Sequence, residues 1–256
     1  MIEYRKEGKI ARITINRPEG LGALTARGHE ELYQAYLNLR NDDEVLVGII
    51  TGTGKAFCSG SDIKDTLPAV KKAGSDRPWD MPTPVTMRGL ELWKPLIAAV
   101  NGLTLGGGMG VILGCDIRIA SENAKFGYPE VKIGLPPLEG STQRLPHIVG
   151  LGVAEELILT GRVIDAQEAY RIGLVTKVVP PDELMPAAKG VAQTLCEAAP
   201  LAVKVAKEQM IRGLGMSLEE GLTFEFSFHR RILQTKDFEE GIAAFQEKRK
   251  PKFEGK

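Results

Sequence analysis

PLIAAVNGLTLGGGMGVILGC, residues Pro95 to Cys115, contains no charged side chain. The run is long enough to cross a bilayer, which takes about 20 apolar residues. Its interior argues against that use. Asn101 and Pro95 interrupt it, and so do Gly102, Gly106, Gly107, Gly108, Gly110 and Gly114. Punctuated this way, it reads as a buried strand, a glycine turn and a buried helix rather than one membrane helix.

Strand signals lie on either side, although the sequence shows no internal repeat. Upstream, Val45 to Thr51 is a short apolar run ended by Gly52-Thr53-Gly54, a buried strand and a tight turn. Ile97 to Asn101 repeats it, and Asp116 to Ala120 alternates as another strand. Ile10 to Asn16 sets Ile13 and Ile15 on one face and Arg12 and Thr14 on the other. Thr25 is an N-cap for a helix carrying Leu32, Tyr36 and Leu39 on one side. Strands separated by helices over the first two-thirds predict an α/β core with parallel pairing.

Strand signals disappear after about Pro181, and helices are expected from Asp182, Pro200, Ser217 and Lys236. Leu218, Leu222 and Phe226 form an apolar stripe that must bury on the chain's own core or on a neighbouring subunit. Thr66 to Pro84 holds Pro68, Pro78, Trp79, Pro82 and Pro84. It reads as a loop or irregular helix, either bordering a site or simply connecting elements.

With 256 residues, 43% apolar and 26% charged, the chain has ample material for a globular core. Lys+Arg and Asp+Glu balance at 33 each, which disfavours a nucleic-acid or membrane-surface binder. Cys58, Cys115 and Cys196 lack disulfide or zinc spacing and fit a reducing, cytoplasmic compartment. MIEYRKEGKI has no apolar segment of the kind a signal peptide needs.

Several chemistries can be set aside. Gly54-Lys55 is followed by Ala56 where a phosphate loop needs Ser or Thr. The glycines at 106 to 110 lack the dinucleotide-binding register, and no G-x-S-x-G elbow occurs. No carboxylate–histidine cluster has metal-ligand spacing, so no metal is expected. His29, His147 and His229 are isolated and read as surface or core-edge residues rather than catalytic bases.

Two glycine turns remain, each following a buried strand: Ala56-Phe57-Cys58-Ser59-Gly60-Ser61-Asp62 and Leu105-Gly106-Gly107-Gly108-Met109. Glycine lets a ligand approach peptide N–H groups closely. Helices starting at both turns would leave free donors pointing outward. Two donors converging on one point make an oxyanion hole. Two tight packing turns would look the same in sequence.

Ile13-Thr14-Ile15-Asn16-Arg17-Pro18, Gly54 through Gly60-Ser61-Asp62-Ile63, and Asn101-Gly102 through Gly106-Gly107-Gly108 to Cys115-Asp116 resemble segments of the enoyl-CoA hydratase/isomerase (crotonase) family. So do Phe126-Gly127-Tyr128-Pro129-Glu130, Thr142-Gln143-Arg144-Leu145 and Phe245-Gln246-Glu247-Lys248-Arg249. They run in family order over essentially the whole chain. The resemblance implies a crotonase-like ββα spiral core over residues 1–198 that binds acyl-CoA. It also implies a C-terminal helical oligomerisation region over 199–256, forming a homotrimer or homohexamer. A coenzyme A thioester would be the substrate, with no separate cofactor, no membrane and no nucleic acid.

By position, the resemblance gives the backbone N–H groups of Ser61 and Gly107 to the thioester oxygen. Lys64, Phe245 and Lys248 go to CoA; a solvated lysine pair and a core phenylalanine are the alternatives. Glu130 matches one of two glutamates usual in family hydratases. The other should stand three positions after Gly107, where Gly110 stands instead. Glu139 is either a replacement carboxylate from the next loop or a surface residue. A carboxylate moving a proton beside an oxyanion hole predicts hydratase/isomerase chemistry with Glu130 as acid/base. A one-base double-bond isomerase, a CoA-thioester hydrolase or C–C lyase, and a non-catalytic acyl-CoA binder are the alternatives.

Overall fold

The computed structural model describes residues 1–66, 68, 87 and 89–256. Strands β1 (Ile2–Glu7) and β2 (Ile10–Ile15) form an antiparallel hairpin. On β2, Ala11, Ile13 and Ile15 are fully buried while Arg12 and Thr14 are not, the alternation read from sequence. Helix α1 (Ala26–Asn41) follows, with Thr25 accepting from the Gly28 N–H as its N-cap. Its inward face is Leu32, Ala35, Tyr36 and Leu39.

A ββ unit then repeats. Strands β3 (Val47–Gly52) and β4 (Ala56–Cys58) are the first pair, and β5 (Leu96–Val100) and β6 (Leu103–Leu105) the second, followed by α2 (Gly107–Leu113). β7 (Ile117–Ser121) and β8 (Lys125–Gly127) make the third. In each pair the first strand joins a six-stranded sheet of order β1-β2-β3-β5-β7, closed by β10 (Lys177–Val179). The second joins a four-stranded sheet of order β4-β6-β8, closed by β9 (Val163–Asp165). Each repeat therefore advances one position in both sheets, and the chain winds as a spiral. Pairing along the spiral is parallel, and β8 with β9 is antiparallel.

Residues 95–115 thus form β5, β6 and α2, and among the described residues no helix is long and apolar enough to cross a membrane. β5 is buried along its whole length because both faces of the large sheet are covered. Ala98 and Val100 pack toward α1 and α2, whereas Ile97 and Ala99 join Val47, Ile49 and Ile119 on the opposite face. β7 departs from simple alternation. Its Arg118 is buried, with the guanidinium donating to the carbonyls of Leu174 and Cys115 at 2.7 Å each.

Between β8 and β10 come α3 (Ser141–Val149), α4 (Leu151–Thr160) and α5 (Ala166–Arg171). Helix α6 (Leu184–Cys196) lays Leu184, Ala188 and Ala192 against the face of Val47, Ile49, Ile97, Ala99 and Ile119. Helices α7 (Pro200–Gly213), α8 (Leu218–Ile232) and α9 (Lys236–Gln246) end the chain, as the sequence predicts. Lys207 ties α7 to the core, its ammonium 2.7 Å from Asp116 Oδ2 and 2.9 Å from the Lys94 carbonyl. Helix α8 has no buried residue, and Leu218 and Phe226 are 81% and 76% exposed. The apolar stripe is therefore not covered by this chain's own core.

Candidate active site

The turn after β4 is clamped from α1's approach segment. Ser59 N donates to Leu21 O, Leu24 N donates to Gly60 O, and Asp62 N donates to Leu24 O. Arg17 reinforces it, with Nη1 at 2.8 Å from both Asp62 Oδ2 and the Ala23 carbonyl. This pattern skips Ser61: among the described residues its N–H donates to no backbone carbonyl, and neither does that of Gly107. Gly107 is the first residue of α2, where an N–H has no partner within the helix.

The spiral sets these two peptides side by side, because β4 and β6 are neighbours in the small sheet. A β-carbon on Gly107 would lie 3.5 Å from the Ser61 nitrogen and 3.6 Å from Ser61 Oγ. Gly60, at φ +101°, lets its α-carbon face the Gly107 nitrogen, where a β-carbon would come within 3.2 Å. A substituent there would both strain the backbone and crowd the donor.

Glu130 arrives from the third repeat, in the 3₁₀ turn Pro129–Ile133 just beyond β8. Its carboxylate abuts the second glycine turn: a β-carbon on Gly106 would stand 2.8 Å from Oε1. The side chain is half-buried, and Oε2 is buried without a hydrogen-bond partner among the described residues. Burial raises the Glu130 carboxyl above its ordinary value. Tyr128, two residues earlier in the chain, is fully buried. Burial pushes its phenol up, the nearby Ser141 hydroxyl lowers it, and the Glu130 charge adds to the rise.

Gly110 is buried in the middle of α2 and brings no side chain to the site. Glu139 is half-buried, with φ +58°, just before Gly140 at φ +77°. Burial pushes the Cys58 thiol up to about 12, and the Glu139 carboxylate adds to that rise. Glu139 is thus within electrostatic reach of the end of β4. Lys64, beyond the Ser61 turn, is exposed, and its N–H donates to Asp62 Oδ1. Phe245 is 85% exposed at the end of α9, so it is not a core residue, and Lys248 follows with φ +55°. Among the described residues no hydrogen bond joins either to Ser61, Gly107 or Glu130. The segment from Thr66 to Pro84, read as a border of the site, lies outside the described residues apart from Thr66 and Pro68.

One residue at this site escaped the sequence reading. His29, taken there as a surface or core-edge side chain, is half-buried on the first turn of α1. Its Nε2 is 3.2 Å from Ser61 Oγ, and its Nδ1 is 3.1 Å from the Thr25 carbonyl. The Thr25–His29 contact follows helical i,i+4 spacing; the contact with Ser61 spans 32 positions and leaves no local signal.

Facing backbone donors beside a half-buried carboxylate, on a double-sheeted spiral, are the kind of arrangement that acyl-transfer or enolate chemistry requires. The family model described as Enoyl-CoA hydratase/isomerase matches residues 5–256. The chain belongs to that family of enzymes. It is 45% identical to a short-chain-enoyl-CoA hydratase of Clostridium acetobutylicum over 96% of this chain and 94% of that protein. It is 41% identical to a crotonyl-CoA hydratase of Syntrophomonas wolfei over 98% of this chain and 97% of that protein. Its fold matches the crystal structure of an enoyl-CoA hydratase from Bacillus anthracis with TM-score 0.91 and 37% identity, over 100% of this chain and 99% of that one.

Proposed function

We propose that the protein hydrates short-chain 2-enoyl-CoA thioesters, with the thioester oxygen held by the N–H groups of Ser61 and Gly107 and the proton moved by Glu130. The observation carrying this reading is the convergence of three repeats: the Ser61 and Gly107 peptides meet, and Glu130 rests on Gly106 one residue away. Adding water across the conjugated double bond drives charge onto the carbonyl oxygen. Preorganised donors at that point stabilise the enolate, and loss of one typically costs about 3 kcal/mol. Glu130, with its raised carboxyl, is suited both to accept a proton from water and to return it. Coenzyme A enters as part of the substrate, and Lys64 is the exposed cation nearest in sequence to the hole. The names of the Clostridium and Syntrophomonas relatives support the short acyl chain.

A second reading is double-bond isomerisation, favoured by Gly110. With Glu130 as the sole base, one carboxylate takes a proton from one carbon and returns it to another; Glu139 would supply the second carboxylate that hydration usually employs. Incubating 2-enoyl- and 3-enoyl-CoA thioesters with the wild type and Glu130→Gln separates these. A product heavier by one water assigns hydration, and a shifted double bond without mass change assigns isomerisation. Full activity of Glu130→Gln would overturn the assigned base.

We further propose that the chain assembles as a homotrimer or homohexamer through the exposed stripe of Leu218, Leu222 and Phe226 on α8. In that assembly Phe245 and Lys248 would serve the CoA of a neighbouring copy.

A further inference from the structure

We infer that Ser61 and His29 form a nucleophile–base pair, giving this enzyme a second activity: hydrolysis of saturated acyl-CoA thioesters through an acyl-serine intermediate. The inference rests on the oxyanion-hole reading of Ser61 and Gly107 and extends the same site.

The hydrogen-bonding chemistry fixes the direction of the pair. A carbonyl oxygen only accepts, so the 3.1 Å contact with Thr25 O requires the proton of neutral His29 to reside on Nδ1. Nε2 is then an acceptor, and the Ser61 hydroxyl at 3.2 Å donates to it. A base within reach of a hydroxyl, itself oriented by a third group, is the arrangement that activates a serine. The Thr25 carbonyl also accepts the His29 backbone N–H at 2.9 Å, so the ring is held where its own helix turn begins.

The surroundings complete the arrangement. Ser61 Oγ stands on the side of the turn that faces Gly107, where a β-carbon would be 3.6 Å away. A thioester whose oxygen is bound by the Ser61 and Gly107 N–H groups would lie against the same turn that carries Oγ. A nucleophile whose own peptide N–H contributes to the oxyanion hole is an established solution for acyl transfer on unrelated folds. In the proposed hydration Ser61 acts through its backbone N–H.

The steps balance without any co-reactant other than water. Ser61 Oγ attacks the thioester carbon while His29 Nε2 takes the hydroxyl proton. The C–S bond then breaks, His29 passes the proton to sulfur, and CoA leaves as the thiol. Water attacks the resulting ester with His29 again taking a proton. The C–Oγ bond breaks, Oγ recovers the proton, and the free acid departs.

Butyryl-CoA is the discriminating probe, since it has no double bond to hydrate or shift. The purified full chain is incubated with it while free thiol is followed by a chromogenic disulfide, and the protein is quenched for intact and peptide mass. The inference expects CoA release and a butyryl group on the peptide bearing Ser61. In His29→Gln, CoA release from butyryl-CoA should fall on the order of 100-fold, the scale of a lost general base, and should fall further than but-2-enoyl-CoA hydration does. Hydration without any CoA release from butyryl-CoA overturns this inference and leaves the hydratase reading standing. CoA release unchanged by His29→Gln also overturns it. Failure of both reactions overturns the oxyanion-hole reading on which it rests.

Discussion

Gly106 and Glu130 are in contact across two turns of the spiral: the place where Gly106 would carry a β-carbon lies 2.8 Å from the Glu130 carboxylate. Gly106 also has φ +51°, a backbone state that disfavours a side chain. Gly106→Ala would therefore push Glu130 off its seat while leaving the carboxylate in place chemically. A displacement on the order of 1 Å at a catalytic group costs about 100-fold, so kcat for but-2-enoyl-CoA should fall by that scale. Steady-state kinetics beside a thermal melt would separate this from simple unfolding.

Replacing Glu130 itself should have opposite effects on activity and stability. Glu130→Gln removes the base and should lower kcat roughly 100- to 10,000-fold. The folded protein holds the Glu130 proton more tightly than the unfolded chain does, because burial raises its carboxyl. That favours folding where the group is protonated, below the ordinary glutamate range, and the benefit is lost as pH rises through the raised value. Glu130→Gln should therefore melt above the wild type at neutral pH, and the gap should close below about pH 4. A series of melts from acid to neutral pH tests the sign.

The same titration shapes the rate profile. In its basic role Glu130 must be ionised, so the acid limb of kcat/KM should lie above the ordinary carboxylate range. A limb at or below that range would dissociate the limb from Glu130.

Lys207 is the anchor of α7 on the core, with a side chain only 11% exposed against Asp116 at 22%. Asp116 Oδ2 also accepts the Leu96 N–H at 2.7 Å, at the start of β5. Lys207→Ala leaves that carboxylate without its cation, and breaking a buried pair in this way costs about 3 to 5 kcal/mol. Urea unfolding should show the midpoint falling, with α7 loosening from the sheet.

If α8 is an interface, charge on it should split the assembly. Leu218→Asp with Phe226→Asp adds anions at two of the most exposed apolar positions of the helix. Sedimentation should then give the mass of one chain in place of three or six, with the helical content retained.

The long buried strands are legible in the sequence. Val45–Thr51 and Ile97–Asn101 lie within a residue or two of β3 and β5, because continuous apolar runs ended by glycine or asparagine have few other uses. The Thr25 cap was readable for a similarly local reason. β4, β6 and β8 were not, since three residues each carry no detectable period. Yet they form the sheet that brings the two glycine turns together. The expected alternation of Asp116–Ala120 failed at Arg118, whose charge is satisfied by carbonyls inside the core rather than by solvent. At the site, Ser61, Gly107 and Glu130 could be named only through motif order, because their proximity is created by stacking of the repeats. The partnership of His29 with Ser61 joins distant elements and has no signature in either neighbourhood.

The donors of Ser61 and Gly107 belong to the main chain, and this has a consequence for how the site can vary. Every amino acid except proline presents the same N–H, so exchanging the side chain at either position does not by itself remove the donor. The N–H pair is in that sense tolerant of side-chain change, whereas the neighbouring glycines Gly60 and Gly106 are not. Under the proposed function, the acids, bases and acyl-pocket residues around the site could differ, with a glycine at position 110, while the two N–H donors stay in place.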